Sequence, residues 1–330
     1  MTLHRLMLGT ALFNGDLSSL RIFRLERVHT ELPWRNVVNL TSLALYDMSP
    51  RSPSTMQLLD FFESAPRLRK IQLAFATPTA DGQSGRLVSL DCLKRMVLSG
   101  EPSSRLLSHL FIPVGPRLAI WGDSFQHITE HHLPGSLDNL RNVSNITNIH
   151  FTNNSHIKLS GPSGKLTMAS RLDAARLGLE ALIRLDTSKI ERLEVVNNDH
   201  PLTRPSYRGL IPLKTLRTLT LSRCINPYTF MSALNTNTDT SVVVPCPRLE
   251  EIVLVPPTNT EEIDIKSMTK IAAAKASRGA KLGTIRILGE TNKLGLGNVP
   301  GLRKHVSNVE CSPVPNVVDS DSDYSDNDFW

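Results

Sequence analysis

The sequence predicts an α/β fold in which strand-and-helix units stack along one dimension, and three observations predict it. An apolar triad with the spacing i, i+3, i+5 recurs along the chain, and amphipathic segments with helix-cap signals lie between its copies. The 330 residues also exceed what one core usually holds, so the chain either divides into domains or grows as a repeat array.

The triad reads Leu20-Phe23-Leu25, Leu40-Leu43-Leu45, Leu68-Ile71-Leu73, Leu93-Met96-Leu98, Ile146-Ile149-Phe151, Ile190-Leu193-Val195, Leu216-Leu219-Leu221, Leu249-Ile252-Leu254 and Leu282-Ile285-Ile287. Successive starts lie 20, 28, 25, 53, 44, 26, 33 and 33 residues apart, so each of the two long gaps is expected to hide a degenerate copy, one of them near Leu118 to Trp121. This spacing is neither the alternation of an isolated strand nor the 3.6-residue period of a helix. It suits a leucine-rich repeat: the first apolar residue fills a turn, the next two sit two apart on a short strand and face the core, and the chain climbs back as a helix. One repeat cannot cover its own apolar face, whereas a stack buries a continuous one. The expected architecture is a horseshoe solenoid over 1–311, with a curved parallel sheet on the concave face and helices or loops on the convex face.

The returning segments carry helix signals in order. "PSTMQLLDFFESAPRL" has Ser54 and Gln57 at capping-box spacing, apolar Leu58, Leu59, Phe61 and Phe62, and Pro66 as a stop. "SRLDAARLGLEALIRLD" repeats the device with Ser170 and Asp173, and "CINPYTFMSALN" offers Asn226 as N-cap, Pro227 at the first helical position, and Phe230, Met231 and Leu234 on one face. The segment from Glu261 and Glu262 to Arg278 and Gly279 places Ile265, Met268 and Ala272 inward. Because strand and helix alternate, the sheet is expected to be parallel throughout.

Composition narrows the classes. Hydrophobic content of 40% suffices for a core, no apolar run approaches the length of a membrane span, and no cleavage pattern follows Leu6 to Phe13. The four cysteines (Cys92, Cys224, Cys246, Cys311) are far apart and form no CxxC pair, which suits buried thiols in a reducing compartment, so an intracellular protein, cytoplasmic or nuclear, is expected. Sequons at Asn39, Asn142, Asn145 and Asn153 carry no consequence without secretion. The net charge of +6 includes five aspartates among the last twelve residues, so the body is more basic than the total shows. Its cations look scattered along the sequence. Residues 312–330 alternate Ser and Asp and cannot bury enough apolar surface to order themselves, so a disordered acidic tail is expected. Ser320 and Ser325 each have Asp three residues on, which suits acidophilic kinases.

The wording of the chain resembles a known family. "LFNGDLSSLRIFRLERVHTELPWRNVVNLTSLAL", "LLDFFESAPRLRKIQL", "LRTLTLSRCINPYTFMSALN", "CPRLEEIVLV", "IKSMTKIAAAKASRGAKLGTIRI" and "LRKHVSNVE" are similar to the leucine-rich half of the F-box-type proteins expanded in basidiomycete fungi. The resemblance covers roughly Leu12 to Glu310. It implies a substrate receptor, in which an F-box docks the Skp-type adaptor of a cullin-RING ubiquitin ligase and the repeats hold the target protein. No F-box segment precedes the first triad at Leu20, so adaptor contact is expected only if an F-box lies outside this chain.

Catalytic readings are weaker. His127, Glu130 and His131 match the H-x-x-E-H of zinc hydrolases, with Glu180 as a possible third ligand, but that site needs a helix of several turns and Pro134 and Gly135 break the segment. Gly295 and Gly297 lack the third glycine of a dinucleotide fingerprint, and no G-x-S-x-G elbow occurs. No enzyme, metal or cofactor is expected. With 5% aromatic residues and no basic cluster in the sequence, nucleic acid is not the expected partner. The expected function is protein recognition by residues that alternate with the buried leucines: Arg24, Glu26, Tyr46, Lys70, Gln72, Arg95, Asn148, His150, Arg192, Glu194, Thr220, Arg223, Glu251 and Arg286. Arg24, Tyr46, Arg95 and Arg286 lead as interface anchors because Arg and Tyr dominate binding energetics. A free-standing scaffold or decoy without ubiquitin chemistry is the alternative.

Overall fold

The computed structural model describes residues 17–27, 37–48, 53–76, 85–100, 103–122, 128–152, 156–170, 185–196, 213–224, 246–257, 263–289 and 299–313, with Leu210, Pro227 and Leu234. The acidic tail with Ser320 and Ser325, the helix expected around Asp173, its counterpart with Asn226, Phe230 and Met231, and His127, Glu180, Gly295 and Gly297 all lie outside those residues. The fold is α/β, mostly parallel sheet with few helices, and the chain forms two compact units. Unit 1 takes Met1–Glu191 with Leu202–Leu213, and unit 2 takes Arg192–Pro201 with Lys214–Trp330.

Unit 1 contains β1 (Ile22–Glu26), β2 (Ser42–Tyr46), α1 (Thr55–Ser64), β3 (Lys70–Ala74), β4 (Val88–Ser89), β5 (Arg95–Ser99), α2 (Ser104–Ser108), β6 (Leu110–Phe111), β7 (Arg117–Gly122), β8 (Asn148–Thr152), β9 (His156–Gly161) and β10 (Gly164–Ser170). Its main sheet runs β1-β2-β3-β5-β7-β10-β9-β8, while β4 and β6 pair separately. Unit 2 contains β11 (Arg192–Val196), β12 (Thr218–Ser222), β13 (Glu251–Val255), α3 (Ile265–Ser277), β14 (Thr284–Leu288), α4 (Val299–Arg303) and β15 (Asn308–Ser312), and its strands pair in chain order.

Every predicted triad supplies a strand. The second and third apolar residues stay in register from strand to strand, as Leu43↔Ile71↔Met96↔Leu118 and Leu219↔Ile252↔Ile285. These columns are almost wholly buried, apart from Phe23 on the edge strand β1. The first apolar residue closes the turn before its strand, its amide donating to the carbonyl three residues back, as in Leu40→Val37 at 2.9 Å and Leu249→Cys246 at 3.1 Å. The carbonyl just before each strand then accepts the next strand's first amides: Arg21 takes Thr41 and Ser42, Thr41 takes Arg69 and Lys70, and Arg69 takes Lys94 and Arg95, all at 2.8–3.1 Å.

The strand exits repeat too. Arg27, Asp47, Phe75 and Arg223 each follow the last residue of a strand with φ of 49–55°, and Gly100 does so with φ 89°. A left-handed non-glycine residue costs about 1–2 kcal/mol. The turn persists because it aims the amide at the neighbouring strand: Arg27 N donates to Tyr46 O at 3.0 Å, Asp47 N to Ala74 O at 2.7 Å and Phe75 N to Ser99 O at 2.9 Å. Leaving such an amide unpaired would cost a comparable amount, about 1–3 kcal/mol.

One expectation is corrected. The sheet is not parallel throughout, because β9 runs antiparallel to both β8 and β10. The chain passes from β7 to β8 and returns through the β8–β9–β10 meander, so β10 fills the place beside β7 with Leu166 opposite Leu118 and Met168 opposite Ile120. The degenerate copy expected near Leu118 is β7 itself. Gly161 and Gly164 flank the Pro162–Ser163 turn of this meander. A Cβ on Gly161 would lie 1.9 Å from the Asn145 carbonyl oxygen, and Gly164 has φ 144°.

The helices follow their cap signals. Ser54 Oγ accepts from Gln57 N at 3.2 Å, Gln57 Oε1 accepts from Ser54 N at 2.8 Å, and α1 ends at Ser64 ahead of Pro66. Arg86 clamps this helix from outside, pairing with Asp60 at 2.5 Å and with Glu63 through Nε at 2.8 Å, which holds the Glu63 carboxyl below its usual range. The helix expected from Glu261 begins instead at Ile265, because Asp264 caps it by accepting from Ser267 N at 3.0 Å. It ends at Arg278 and Gly279, the latter at φ 76°. Lys275, on the buried side of α3, donates to the Cys246 carbonyl at 3.2 Å and so secures the turn before β13. Burial pulls the Lys275 pKa down and pushes the Cys246 thiol up to about 12. Among the described residues no helix is long and apolar enough to cross a membrane.

Two outcomes follow for stability. Gly161→Ala and Gly100→Ala, the latter meeting the Phe75 ring at 2.4 Å, lower the unfolding free energy by at least about 1–2 kcal/mol and with it the urea midpoint, whereas Gly85→Ala, with nothing within 4 Å, stays near neutral. Matching midpoints for the three in urea titration would refute the close-approach account. Asp264→Ala costs about 1 kcal/mol at neutral pH. The hydrogen bonds from Ser267 hold the folded Asp264 pKa below its ordinary value, so this stabilisation is present above the unfolded carboxyl pKa and lost as pH falls through the folded one. The gap between wild type and variant therefore closes in acid, which denaturant titrations at neutral pH and below pH 4 would read out.

Candidate functional site

The residues that alternate with the buried columns form three rows on the open side of each unit's sheet. In unit 1, following β1-β2-β3-β5-β7-β10-β9-β8, the first row is Ile22, Ser42, Lys70, Arg95, Arg117, Lys165, Ser160 and Asn148. The second is Arg24, Ala44, Gln72, Val97, Ala119, Thr167, Lys158 and His150, and the third runs from Glu26 and Tyr46 to Trp121, His156 and Thr152. Most are half-buried or exposed, while Val97, Ala119 and Thr167 form a closed floor.

Arg24 and Tyr46, expected as separate anchors, stand together. The Arg24 guanidinium lies 4.8 Å over the Tyr46 ring and 3.6 Å from Glu26. Burial raises the Tyr46 phenol pKa, and Arg24 opposes that rise. Lys70 and Arg95 are register partners, and the row continues into Arg117 and Lys165, which no triad marked. At the third row Trp121 meets His156 edge to face, with ring centres 5.5 Å apart. His150 faces Lys158 across the β8–β9 pair.

Beside the first row, where β1 to β3 begin, a groove of about 710 Å³ is lined by Arg21, Arg67, Arg69 and Lys70 with Asn39 and Thr41 among their neighbours. Arg67 donates to Asn39 Oδ1 at 2.9 Å and Asn39 donates to Ser18 O at 2.7 Å, which braces the groove wall.

Unit 2 differs in charge. Arg286 donates to Glu310 at 2.9 Å and lies 3.3 Å from Glu251, and Glu310 also accepts from Asn308 at 2.6 Å. The Arg286 contact holds the Glu310 carboxyl below its usual range and raises the Arg286 pKa. The expected anchor Arg286 is therefore neutralised within its own sheet. Arg192, Glu194 and Thr220 occupy open rows, as expected. Arg223 does not: it sits just past β12 at φ 52°, at the left-handed exit, with its amide donating to Val255 O at 2.6 Å.

The histidine motif takes a different form from a zinc helix. Residues Ile128–His132 make one π-helical turn; Glu130 and His131 are exposed beside each other at 4.0 Å. His132, outside the motif, is the enclosed histidine, its Nδ1 3.1 Å from Ser103 Oγ. Both residues of that pair are fully buried, so the serine lacks the exposure a nucleophile needs. Among the described residues no three His, Cys, Asp or Glu side chains come together to hold a metal. All four cysteines are free thiols; Cys224 and Cys246 are buried and Cys92 is exposed. Asn142 is fully buried, which leaves its sequon inaccessible in the folded chain.

Sequence reasoning missed Arg117, Lys158, Lys165, Trp121 and His156. Trp121 and Arg117 flank a degenerate triad, and the other three lie on the meander. The alternation Leu166-Met168 just after the Gly-Pro-Ser-Gly turn was the available sign.

No protein-family model matches the chain, and no curated protein matches it at a significant level.

Proposed function

We propose that this chain is a leucine-rich-repeat module for protein recognition, without catalysis, whose strands form the concave sheet of a horseshoe and present their open rows to a protein target. In this reading it corresponds to the substrate-binding half of an F-box-type ubiquitin-ligase receptor. The observation that carries it is the double periodicity of the strands: one set of alternate positions is given to buried apolar columns and the other to an ordered surface of Arg, Lys, Tyr, Trp, His, Gln and Thr. A sheet that only needed a solvated back has no use for aromatic and arginine side chains in adjacent positions. Such residues desolvate well and anchor interfaces.

The test uses the full chain, tagged and expressed in the cells that make it. Arg24→Glu, Tyr46→Ala and Thr220→Lys, combined in one variant, leave the leucine columns untouched. Captured proteins are expected to fall by about tenfold or more relative to wild type, with an unchanged circular dichroism spectrum. An identical set from both chains overturns the proposal. A Skp-type adaptor in the captured set marks a ligase receptor, while targets without it mark a scaffold.

A further inference from the structure

We infer that unit 1 carries a small-ligand site at the edge of its open rows: the groove beside the start of β1 to β3 takes a ligand bearing two or three adjacent phosphates and holds it by those phosphates alone. The inference goes beyond protein recognition and does not depend on it. The groove follows from what the repeat puts side by side. Ser42 lies in register with Ile22 on one side and Lys70 on the other, and Thr41, Arg21 and Arg69 each come one residue earlier on the same strands' approaches. Short hydroxyl side chains on the middle repeat thus stand between long ones, which opens a trough of about 710 Å³. With strands about 4.8 Å apart, Arg21 and Arg69 flank Thr41 with roughly 10 Å between their backbones. Arg67, from the turn before β3, joins them, held by its hydrogen bond to Asn39 Oδ1 at 2.9 Å. A cleft of this size suits a small molecule.

The trough is cationic and its acceptors are already used. Arg21, Arg67, Arg69 and Lys70 line it, no Asp or Glu does, and none of the four forms an ion pair among the described residues. Exposed arginines elsewhere in unit 1 do pair, Arg27 with Asp47 at 3.0 Å and Arg86 with Asp60 and Glu63. Asp91, next in sequence to the lining residue Cys92, stays outside the groove and accepts from Ser89 at 2.5 Å. The Arg21 carbonyl accepts from Thr41 N, Ser42 N and Thr41 Oγ1 at 2.8–3.1 Å, and the Thr41 carbonyl from Arg69 N and Lys70 N at 2.9 and 3.0 Å. What the groove offers an approaching ligand is therefore chiefly cationic N–H. Cations this close repel one another even at physiological ionic strength, where screening sets in over about 8 Å, and an anion turns that repulsion into attraction.

Both carboxylates and phosphates fit a guanidinium fork. Charge separates them, because a carboxylate brings one negative charge while a terminal phosphate brings about two, with three strong acceptor oxygens. Adjacent phosphates therefore match the four cations gathered in one trough. A nucleic-acid strand spreads its charge along its length and gains much of its affinity from stacking on aromatic rings. Among the described residues no aromatic side chain lines the groove, and Tyr46, at the far end of β2, stands about 13 Å along the strand from Ser42. The base of a nucleotide lacks a platform there for the same reason, which leaves recognition to the phosphates.

The test is isothermal titration calorimetry with the full chain, free of divalent metal, against tripolyphosphate, a nucleoside triphosphate, orthophosphate and a single-stranded oligonucleotide. Tripolyphosphate and the nucleoside triphosphate are expected to bind within about threefold of each other, about tenfold or more tightly than orthophosphate, and more weakly as salt is raised. Arg21→Gln with Arg69→Gln should cut tripolyphosphate affinity by about tenfold or more, while Arg192→Gln with Lys266→Gln, which removes the same charge from unit 2, should change it less than about twofold. All four substituted side chains are exposed, so circular dichroism is expected to stay unchanged. Cys92, exposed in the groove, gives a second readout: bound tripolyphosphate should slow its alkylation by a maleimide, followed at its own peptide by mass spectrometry, by about fivefold or more. Tripolyphosphate that binds no more tightly than orthophosphate, that binds the Arg21 and Arg69 variant as well as the wild type, or that leaves Cys92 alkylation unchanged overturns the inference. A nucleoside triphosphate that binds far more tightly than tripolyphosphate overturns recognition by phosphates alone, and tighter oligonucleotide binding with the same variant sensitivity gives the groove to nucleic acid instead. None of these results touches the recognition reading, which stands or falls on cellular capture by the Arg24, Tyr46 and Thr220 variant.

Discussion

The rest of the structure depends on one hydrogen-bond arrangement, the carbonyl that precedes a strand and accepts the first amides of the next. Arg21, Thr41 and Arg69 do this in unit 1, and Arg217 and Glu250 do it in unit 2, where Arg217 O takes Glu250 and Glu251 and Glu250 O takes Gly283 and Thr284. Because side chains alternate along a strand, a slip of one residue would move every leucine to the open face. The doubled acceptor fixes the register before the ladder starts, and the left-handed residue at the exit fixes it again at the end. Burial supplies the driving force, with each enclosed leucine contributing about 2–5 kcal/mol against truncation to alanine. The carbonyls decide where that force is applied.

Once register is fixed, residues distant in sequence become neighbours at the same height. Lys70, Arg95, Arg117 and Lys165 lie on different repeats, and along the sequence they look like scattered surface charge. The sheet gathers them into one row. A composition argument weighs charge by proximity along the chain, which is the wrong metric for a stacked sheet, where proximity is counted in repeats.

This is also why the fold was more legible than its surface. Each triad combines a turn-filling residue with two strand residues, a pattern strong enough to locate β2, β3, β5 and β11 to β14. The capping box at Ser54 and Gln57 fixed the start of α1 for the same reason, since both halves of a reciprocal hydrogen-bond pair must be present. The β8–β9–β10 meander stayed hidden because β10 follows a tight turn closed by Gly161 and Gly164, so no leucine is needed three residues ahead of Leu166 to fill a pre-strand turn. The left-handed exits stayed hidden because Arg27, Phe75 and Arg223 are not residues whose intrinsic preference announces positive φ. Tertiary hydrogen bonding sets those conformations, and the local sequence carries little trace of it.

The two units apply the same strand chemistry to opposite electrostatic ends. In unit 2, Arg286 is fixed by two carboxylates on the strands either side, and its donors are directed within the surface. The result is a face whose charges are matched before any partner arrives, so a ligand that relied on charge there would first have to break contacts of 2.9 and 3.3 Å. Unit 1 has few carboxylates within its rows to perform that matching. The backbone register sets the spacing of the cations in its first row. Preorganisation of this kind reduces what a partner must give up on binding, because the row is already assembled and the side chains need only local adjustment. The register carbonyls that protect the leucine core therefore also set the spacing of the charged rows on the open face.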